Sequence, residues 1–171
     1  VMLSGTIELM GATLGGQTVE ALAVAVEHLP LFSIGVNCST GPTFMTDHVR
    51  ALSDIAKTRV TCVPNAGLPD ENGDYNESPE AMARVLARFA ENGWLNAVGG
   101  CCGTTPAHVT AFAEVAASYA PRVASDYSRT QVSGLELLTV DDDSRPYFVG
   151  ERTNVLGSRK FRRLIERGKY D

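Results

Sequence analysis

An alternation of apolar runs and helical patterns, repeated four times, constrains the fold of this chain most strongly. The apolar runs lie near residues 1–7, 31–37, 60–65 and 95–99, and a turn and then a helical pattern follow each of them. Successive runs begin roughly 28–36 residues apart, which is the size of a βαβ unit. Because strands that alternate with helices form parallel sheets, the pattern predicts an α/β fold. The four units are either half of a (β/α)₈ barrel or most of an open doubly wound sheet.

Two of the four helical patterns carry clear start signals. Ser78-Pro79 and Thr105-Pro106 each combine an N-cap residue with a proline at the first helical position. We therefore expect helices to begin at these two places.

Three cysteines occur where two of the predicted strands end. Cys38 follows the run at 31–37, and Cys101 and Cys102 follow the last run, framed by glycines on both sides. Because the carboxyl ends of parallel strands meet at one edge of a sheet or barrel, the three sulfurs are expected to converge. Adjacent residues of a strand point to opposite faces, so both members of the doublet reach one metal only if the backbone turns there. The flanking glycines permit such a turn.

Three thiolates suit a zinc ion that keeps one coordination position open, as catalytic zinc sites do. A substrate thiol in that position is held as a thiolate near neutral pH and can attack an alkyl donor. The alternative is that each cysteine is a small core residue, and this is favoured for Cys62, which lies within a strand. His28, His48 and His108 fall in helical patterns, where a role on a helix face is favoured over metal binding.

Composition excludes several classes of function. The formal net charge of −5 argues against a surface for nucleic acid or anionic membranes. No apolar stretch approaches the roughly 18–20 residues that a bilayer span needs. Four cysteines without regular spacing favour a cytoplasmic protein with metal-binding or catalytic thiols rather than disulfides.

The chain changes character after the fourth helical pattern. Residues 119–146 contain an acidic triplet and a short leucine-rich run, which predicts an interdomain linker with one short strand. Residues 147–155 are predicted to form a new strand, and a helix is expected from about Ser158. We thus divide the chain into domains at 1–118 and 147–171, and we expect it to be a fragment of a longer polypeptide.

Five motifs occur in order between residues 4 and 106, and a sixth follows at residues 149–155. The five are Ser4-Gly5-Thr6-Ile7, Thr13-Leu14-Gly15-Gly16-Gln17-Thr18, Gly35-Val36-Asn37-Cys38 with Gly41-Pro42, Pro64-Asn65-Ala66-Gly67-Leu68-Pro69, and Gly99-Gly100-Cys101-Cys102-Gly103-Thr104-Thr105-Pro106. The sixth is Val149-Gly150-Glu151-Arg152-Thr153-Asn154-Val155. Together the first five resemble the zinc-dependent homocysteine S-methyltransferase domain, and the sixth resembles the opening of a pterin-binding, methyltetrahydrofolate domain. Their tandem order resembles the cobalamin-dependent methionine synthase family.

The resemblance implies a partial (β/α)₈ TIM barrel, its last four βα units, in residues 1–118 and the first βα unit of a second TIM barrel in residues 147–171. It implies that Cys38, Cys101 and Cys102 bind zinc and that the zinc holds homocysteine as a thiolate. The thiolate would take a methyl group from methylcobalamin to give methionine, and 5-methyltetrahydrofolate would then restore the methylcobalamin.

The resemblance further implies that cobalamin is bound by modules outside these residues. Glu151 and Asn154 are candidates for the folate site. One alternative is a cobalamin-independent homocysteine S-methyltransferase that uses betaine or S-methylmethionine. The segment at 150–154 argues against it, because those enzymes have no pterin barrel. A zinc-binding module without catalysis is a second alternative, and the intact set of three cysteines gives it no support.

Overall fold

The computed structural model describes residues 1–126, 128–150 and 155–169. The chain divides into two compact units, Val1–Val140 and Asp141–Asp171, which are treated separately below.

The first unit is built on a parallel sheet with the strand order β1-β2-β3-β4. Each of its strands is followed by a helix, as the sequence predicts, so the four βα units are confirmed. The elements in chain order are β1 (Met2–Gly5), α1 (Val19–Val26), β2 (Ser33–Asn37), α2 (Thr46–Ile55), β3 (Arg59–Val63), α3 (Pro79–Glu91), β4 (Ala97–Val98) and α4 (Pro106–Ser118). Strands that pair in sequence order are compatible with part of a TIM-barrel-like fold.

The helices begin where the sequence places their caps. Ser78 caps α3 by accepting a hydrogen bond from the Ala81 N–H at 3.2 Å, and Pro79 is the first helical residue. Helix α4 likewise begins at Pro106, directly after Thr105. At α3 the cap satisfies a donor at the start of the helix. At both helices the first residue is a proline, which has no N–H that needs a partner.

The core lies between the sheet and the inward faces of the helices. A Cβ atom at Gly35 of β2 would overlap both the side chain and the backbone of Thr61 on β3, so only glycine allows the two strands this close approach. The largest side chains of this core are almost completely buried, each less than 2% exposed. They are Phe89, Phe112, Leu52, Met82, Leu86, Val19, Val36, Val49, Val60, Pro42, Pro64 and Cys62.

A buried arginine closes the end of the first unit where the strands begin. Arg122 is only 6% exposed, and its guanidinium donates hydrogen bonds to the carbonyl oxygens of Ser53, Ala56 and Thr58 at 2.6–3.1 Å. These carbonyls lie at and beyond the C-terminal end of α2, where helices leave acceptors without partners. Burial lowers the pKa of Arg122, and the charge of Asp54 acts in the opposite direction.

The segment predicted as a linker contains a hairpin of two strands, where the sequence indicates one. Strand β5 (Gln131–Ser133) pairs antiparallel with β6 (Leu137–Thr139). The hairpin is attached to the start of α1, because the Thr18 N–H donates to the Leu135 carbonyl at 2.8 Å. The compact first unit accordingly extends to Val140, and the proposed domain boundaries stay a prediction.

The second unit contains one helix, α5 (Arg159–Glu166), among its described residues. Ser158 caps it through a hydrogen bond from the Phe161 N–H at 3.2 Å, so the expected helix start is confirmed. Residues 147–150 belong to no strand, and residues 151–154 lie outside the described residues. The strand predicted for 147–155 is therefore not observed in its first four residues.

No helix in the described ranges is both long enough and apolar enough to cross a membrane.

Replacement of Arg122 by Met is expected to lower the free energy of unfolding by about 2–3 kcal/mol, because buried carbonyl groups lose charged donors. Chemical denaturation of the purified protein measures this difference. Arg84→Met, at an exposed position of α3, is the matched control and should change stability by less than about 0.5 kcal/mol. Equal losses in the two variants would contradict a structural role for Arg122.

Candidate metal centre

The first candidate ligand, Cys38, lies immediately beyond β2 in an unusual backbone conformation. Cys38 and Ser39 have φ angles of 58° and 57°, in the left-handed region that residues other than glycine seldom adopt. The Cys38 N–H still donates to the Val63 carbonyl at 3.0 Å, so this residue remains anchored to β3. The chain turns sharply after it, and the Thr40 N–H donates to the Cys38 carbonyl at 2.6 Å. Such strain persists only where surrounding contacts hold it, which marks this loop as a functional candidate.

The cysteine doublet lies in a tight loop between β4 and α4. The Cys101 N–H donates to the Pro64 carbonyl at 2.8 Å, which ties the loop to the end of β3. Gly103 has a φ of +77° and turns the chain, as expected for the glycine frame. Thr104 then closes the loop by donating its hydroxyl to the Cys101 carbonyl at 2.7 Å. A Cβ atom at Gly100 would lie 2.5 Å from the Thr104 hydroxyl oxygen, so the loop needs glycine there too.

The two loops bring the three predicted ligands together. The Sγ atoms of Cys38, Cys101 and Cys102 all lie within 4.8 Å of one another. Cys38 and Cys101 are half-buried, whereas Cys102 is exposed. In the described part of the chain, no other group of three or more His, Cys, Asp or Glu side chains brings its ligand atoms this close together. The convergence predicted from the sequence is therefore present.

The covalent state of two cysteines differs from the free thiols that the sequence predicts. Cys38 and Cys101 are joined as a disulfide, while Cys62 and Cys102 are free. The Cα atoms of the joined pair are 5.7 Å apart, a separation that disulfides commonly have. The same placement that gathers the three sulfurs also brings two of them within bonding reach.

The spacing within the doublet fits a tetrahedral metal. The Sγ atoms of Cys101 and Cys102 are 3.8 Å apart. A zinc–sulfur bond of about 2.3 Å in tetrahedral geometry separates two sulfur ligands by about 3.8 Å. The doublet therefore has the spacing of two zinc ligands, and soft sulfur donors suit zinc better than magnesium or calcium.

Asn65, the last residue of the third apolar run, connects the two cysteine loops. It is only 4% exposed, and its side-chain oxygen accepts a hydrogen bond from the Cys102 N–H at 3.1 Å. Its own N–H donates to the Thr40 carbonyl at 3.0 Å. The sequence signal for this role is an asparagine within two residues of the end of an apolar strand, because a polar group buried there needs partners.

A series of side-chain hydrogen bonds connects Cys38 to β1 and to the residues that follow it. The Ser4 hydroxyl donates to the Asn37 side-chain oxygen at 2.6 Å, and the Asn37 amide nitrogen donates to the Cys38 sulfur at 2.9 Å. The Ser39 hydroxyl donates to the Glu8 carboxylate at 3.1 Å. These contacts connect the end of β1 to the strained loop, and no sequence pattern indicates them.

His108 is not a member of the sulfur cluster, and its ring holds two backbone segments together near the site. It is 6% exposed, and its Nδ1 accepts a hydrogen bond from the Thr105 N–H at 3.1 Å. Its Nε2 therefore carries the proton and donates to the Glu77 carbonyl at 2.9 Å. The histidine thus fixes the start of α4 against the loop that precedes α3, which agrees with the helix role predicted for it.

Burial changes three pKa values near the site. Burial raises the pKa of the Cys62 thiol to about 12, which fits its predicted place in the core. Burial also raises the pKa of Glu77, and the electrostatic interaction with the neighbouring His108 ring acts in the opposite direction. Burial, and after it the neighbouring Cys102 side chain, raises the pKa of Tyr75.

The two residues suggested for the folate site, Glu151 and Asn154, lie outside the described residues.

A comparison with protein families agrees with this geometry. A model of the homocysteine S-methyltransferase family matches residues 1–116, which is more than half of the 171 residues and includes all three candidate ligands. The chain belongs to the homocysteine S-methyltransferase family. Enzymes of this family transfer a methyl group to homocysteine and are in general zinc-dependent. The cysteine cluster of this homocysteine S-methyltransferase domain is a group that could bind the metal.

Proposed function

We propose that this chain is the zinc- and homocysteine-binding part of a cobalamin-dependent methionine synthase. The observation that carries the proposal is the convergence of three cysteine sulfurs at the carboxyl ends of β2 and β4, in a chain that belongs to the homocysteine S-methyltransferase family. We propose further that the four βα units belong to a TIM barrel with the site at the strand ends, where barrel enzymes carry their chemistry.

Cys38, Cys101 and Cys102 are the proposed zinc ligands. When it is bound, zinc holds a thiol ligand in the thiolate form near neutral pH, and a site with three protein ligands leaves a position for the substrate. Cys102 is the exposed member of the set, so the substrate is expected to approach from its side.

Metal binding requires the reduced form of the cluster. A disulfide offers no thiolate, so the bond between Cys38 and Cys101 must first be cleaved by a thiol reductant. That exchange breaks one S–S bond and leaves two thiols on the protein, while the reductant becomes oxidised. The proposed cytoplasmic location, where thiols are kept reduced, is compatible with this requirement.

The residues around the cluster hold the ligands and position them for the reaction. Asn65 fixes the backbone of Cys102, and Asn37 donates a hydrogen bond to the sulfur of Cys38. In the reaction a bond forms between the homocysteine sulfur and the methyl carbon. The bond between that carbon and its carrier breaks, and the electron pair leaves with the carrier. Once the cluster is reduced, ligands held in this way lower the cost of the step because their backbone positions are already fixed when the substrate binds.

The proposed methyl donor is methylcobalamin, restored from 5-methyltetrahydrofolate. The sequence Val149-Gly150-Glu151-Arg152-Thr153-Asn154-Val155 supports it, because it resembles the start of a pterin-binding barrel. Glu151 and Asn154 are proposed to belong to the folate site of that second barrel. Cobalamin would bind to other modules of a longer chain.

Replacement of Cys102 by Ala is expected to abolish stoichiometric zinc binding, because the site loses one of three sulfur ligands. The reduced proteins are incubated with zinc, passed through a desalting column and analysed for bound metal. Cys62→Ala is the matched control: it removes a buried sulfur outside the cluster and should leave zinc binding unchanged. Stoichiometric zinc in Cys102→Ala would refute the ligand assignment.

The choice of methyl donor is tested with the zinc-loaded protein and homocysteine. Methylcobalamin, betaine and S-methylmethionine are supplied in parallel, and methionine is measured. We expect methionine with methylcobalamin alone. Methionine formed from betaine or S-methylmethionine would point to a cobalamin-independent enzyme of the same family. If no donor gives methionine although zinc is bound, the assay is repeated with the longer chain that carries the cobalamin-binding modules, and a second failure would identify a zinc-binding module without catalysis.

A further inference from the structure

The amide side chain of Asn37 contacts the sulfur of the next residue along the chain. Its nitrogen donates a hydrogen bond to the Cys38 sulfur at 2.9 Å. Adjacent residues of a regular strand point to opposite faces, so their side chains do not meet. Here they meet because Cys38 leaves β2 with a φ of 58°, in the left-handed region. The unusual backbone at this candidate ligand therefore places its sulfur beside a hydrogen-bond donor.

Ser4 of β1 contacts the other end of the same amide. Its hydroxyl donates a hydrogen bond to the Asn37 side-chain oxygen at 2.6 Å. The strand pairing explains this contact: Ser4 is paired with Gly35, and Asn37 lies two residues further along β2, on the same face of the sheet. The two hydrogen bonds thus form an uninterrupted series from β1 to the Cys38 sulfur.

The chemistry of a thiolate ligand fixes the direction of both hydrogen bonds. In the structure the Cys38 sulfur is part of a disulfide, and it stands in for the thiolate that would bind the metal. A thiolate has no proton to donate, so the amide must present its nitrogen to the sulfur and its oxygen to Ser4. Because that oxygen only accepts, the Ser4 hydroxyl must donate. Removal of the hydroxyl frees the amide to turn its oxygen toward the sulfur, which a thiolate would repel.

Contacts that do not involve its sulfur hold Cys38 beside the amide. The Cys38 N–H donates to the Val63 carbonyl at 3.0 Å, and the Thr40 N–H donates to the Cys38 carbonyl at 2.6 Å. The Ser39 hydroxyl donates to the Glu8 carboxylate at 3.1 Å. Because none of these hydrogen bonds needs the disulfide, the sulfur and the amide remain neighbours when the disulfide is reduced.

We propose that Ser4 is a positioning residue of the metal centre, which acts through the Asn37 amide on the Cys38 sulfur. This inference rests on the proposed function, since it takes Cys38 as a zinc ligand. A hydrogen bond to a ligand sulfur fixes the orientation of the ligand and withdraws negative charge from it. The metal then keeps more positive charge for the incoming homocysteine thiol. Ser4 acts only through the amide and is itself neither a metal ligand nor a substrate contact.

The test replaces Ser4 by Ala, which removes the hydroxyl that orients the amide. Zinc affinity is measured in the fully reduced protein by competition with a chromophoric chelator, and the cobalt(II)-substituted protein is examined by absorption spectroscopy. We expect zinc affinity to fall by about 10-fold, at the lower end of the effect of outer partners of metal ligands. We also expect the sulfur-to-cobalt charge-transfer band to shift to longer wavelength, because a sulfur without its donor is more electron-rich.

Three further variants separate this role from a general loss of structure. Ser4→Thr keeps a hydroxyl at the same position and should retain both the zinc affinity and the cobalt spectrum. Asn37→Asp keeps the shape of the side chain but offers the sulfur no donor, and it should lower zinc affinity by about 100-fold. Ser118→Ala is the matched control: it removes a hydroxyl that donates to the Glu114 carbonyl, at the end of α4 far from the doublet, and should change neither reading.

An unchanged affinity and spectrum in Ser4→Ala would overturn the positioning role, and so would an equal loss in Ser4→Thr. If Ser4→Ala does not fold, Asn37→Asp decides the question, because unchanged zinc binding in that variant would overturn the role as well. If the unsubstituted protein binds neither zinc nor cobalt, the proposed function fails and this inference fails with it. If it binds both metals and the variants behave as it does, only this inference fails.

Discussion

The register of β2, β3 and β4 is the constraint on which the rest of the site depends. Asn37 is paired with Val63, and Cys62 is paired with Val98, so the outer strands end at nearly the same level on either side of β3. Because a shift of one residue would turn each side chain to the opposite face, this pairing decides whether the sulfurs meet at all. Gly35 contributes directly, since it lets β2 approach β3 closely.

Beyond the strand ends, the site is held by polar contacts between loops rather than by any single element. Asn65 connects the two cysteine loops, and His108 fixes the start of α4 to the loop before α3. Ligands fixed in this way need not be ordered when a metal or substrate arrives, which lowers the entropic cost of binding. The left-handed backbone at Cys38 and Ser39 is consistent with this view, because strain at a site is supported by the contacts around it.

Much of this structure can be predicted from the sequence because the signals are local. The four βα units follow from apolar periodicity, the starts of α3 and α4 follow from Ser78 and Thr105, and the burial of Cys62 follows from its place within a strand. The remaining features are long-range. No local pattern indicates that Arg122 reaches carbonyls more than 60 residues away, nor that the 131–139 hairpin packs against α1.

The central claim is that three protein sulfurs hold a zinc ion with one position left for homocysteine. X-ray absorption at the zinc edge, recorded on the fully reduced, zinc-loaded protein before and after addition of homocysteine, tests it most directly. The account predicts three sulfur ligands and one lighter ligand before addition, and four sulfur ligands afterwards. A closed site made wholly of protein ligands, or a sulfur count that homocysteine leaves unchanged, would contradict it.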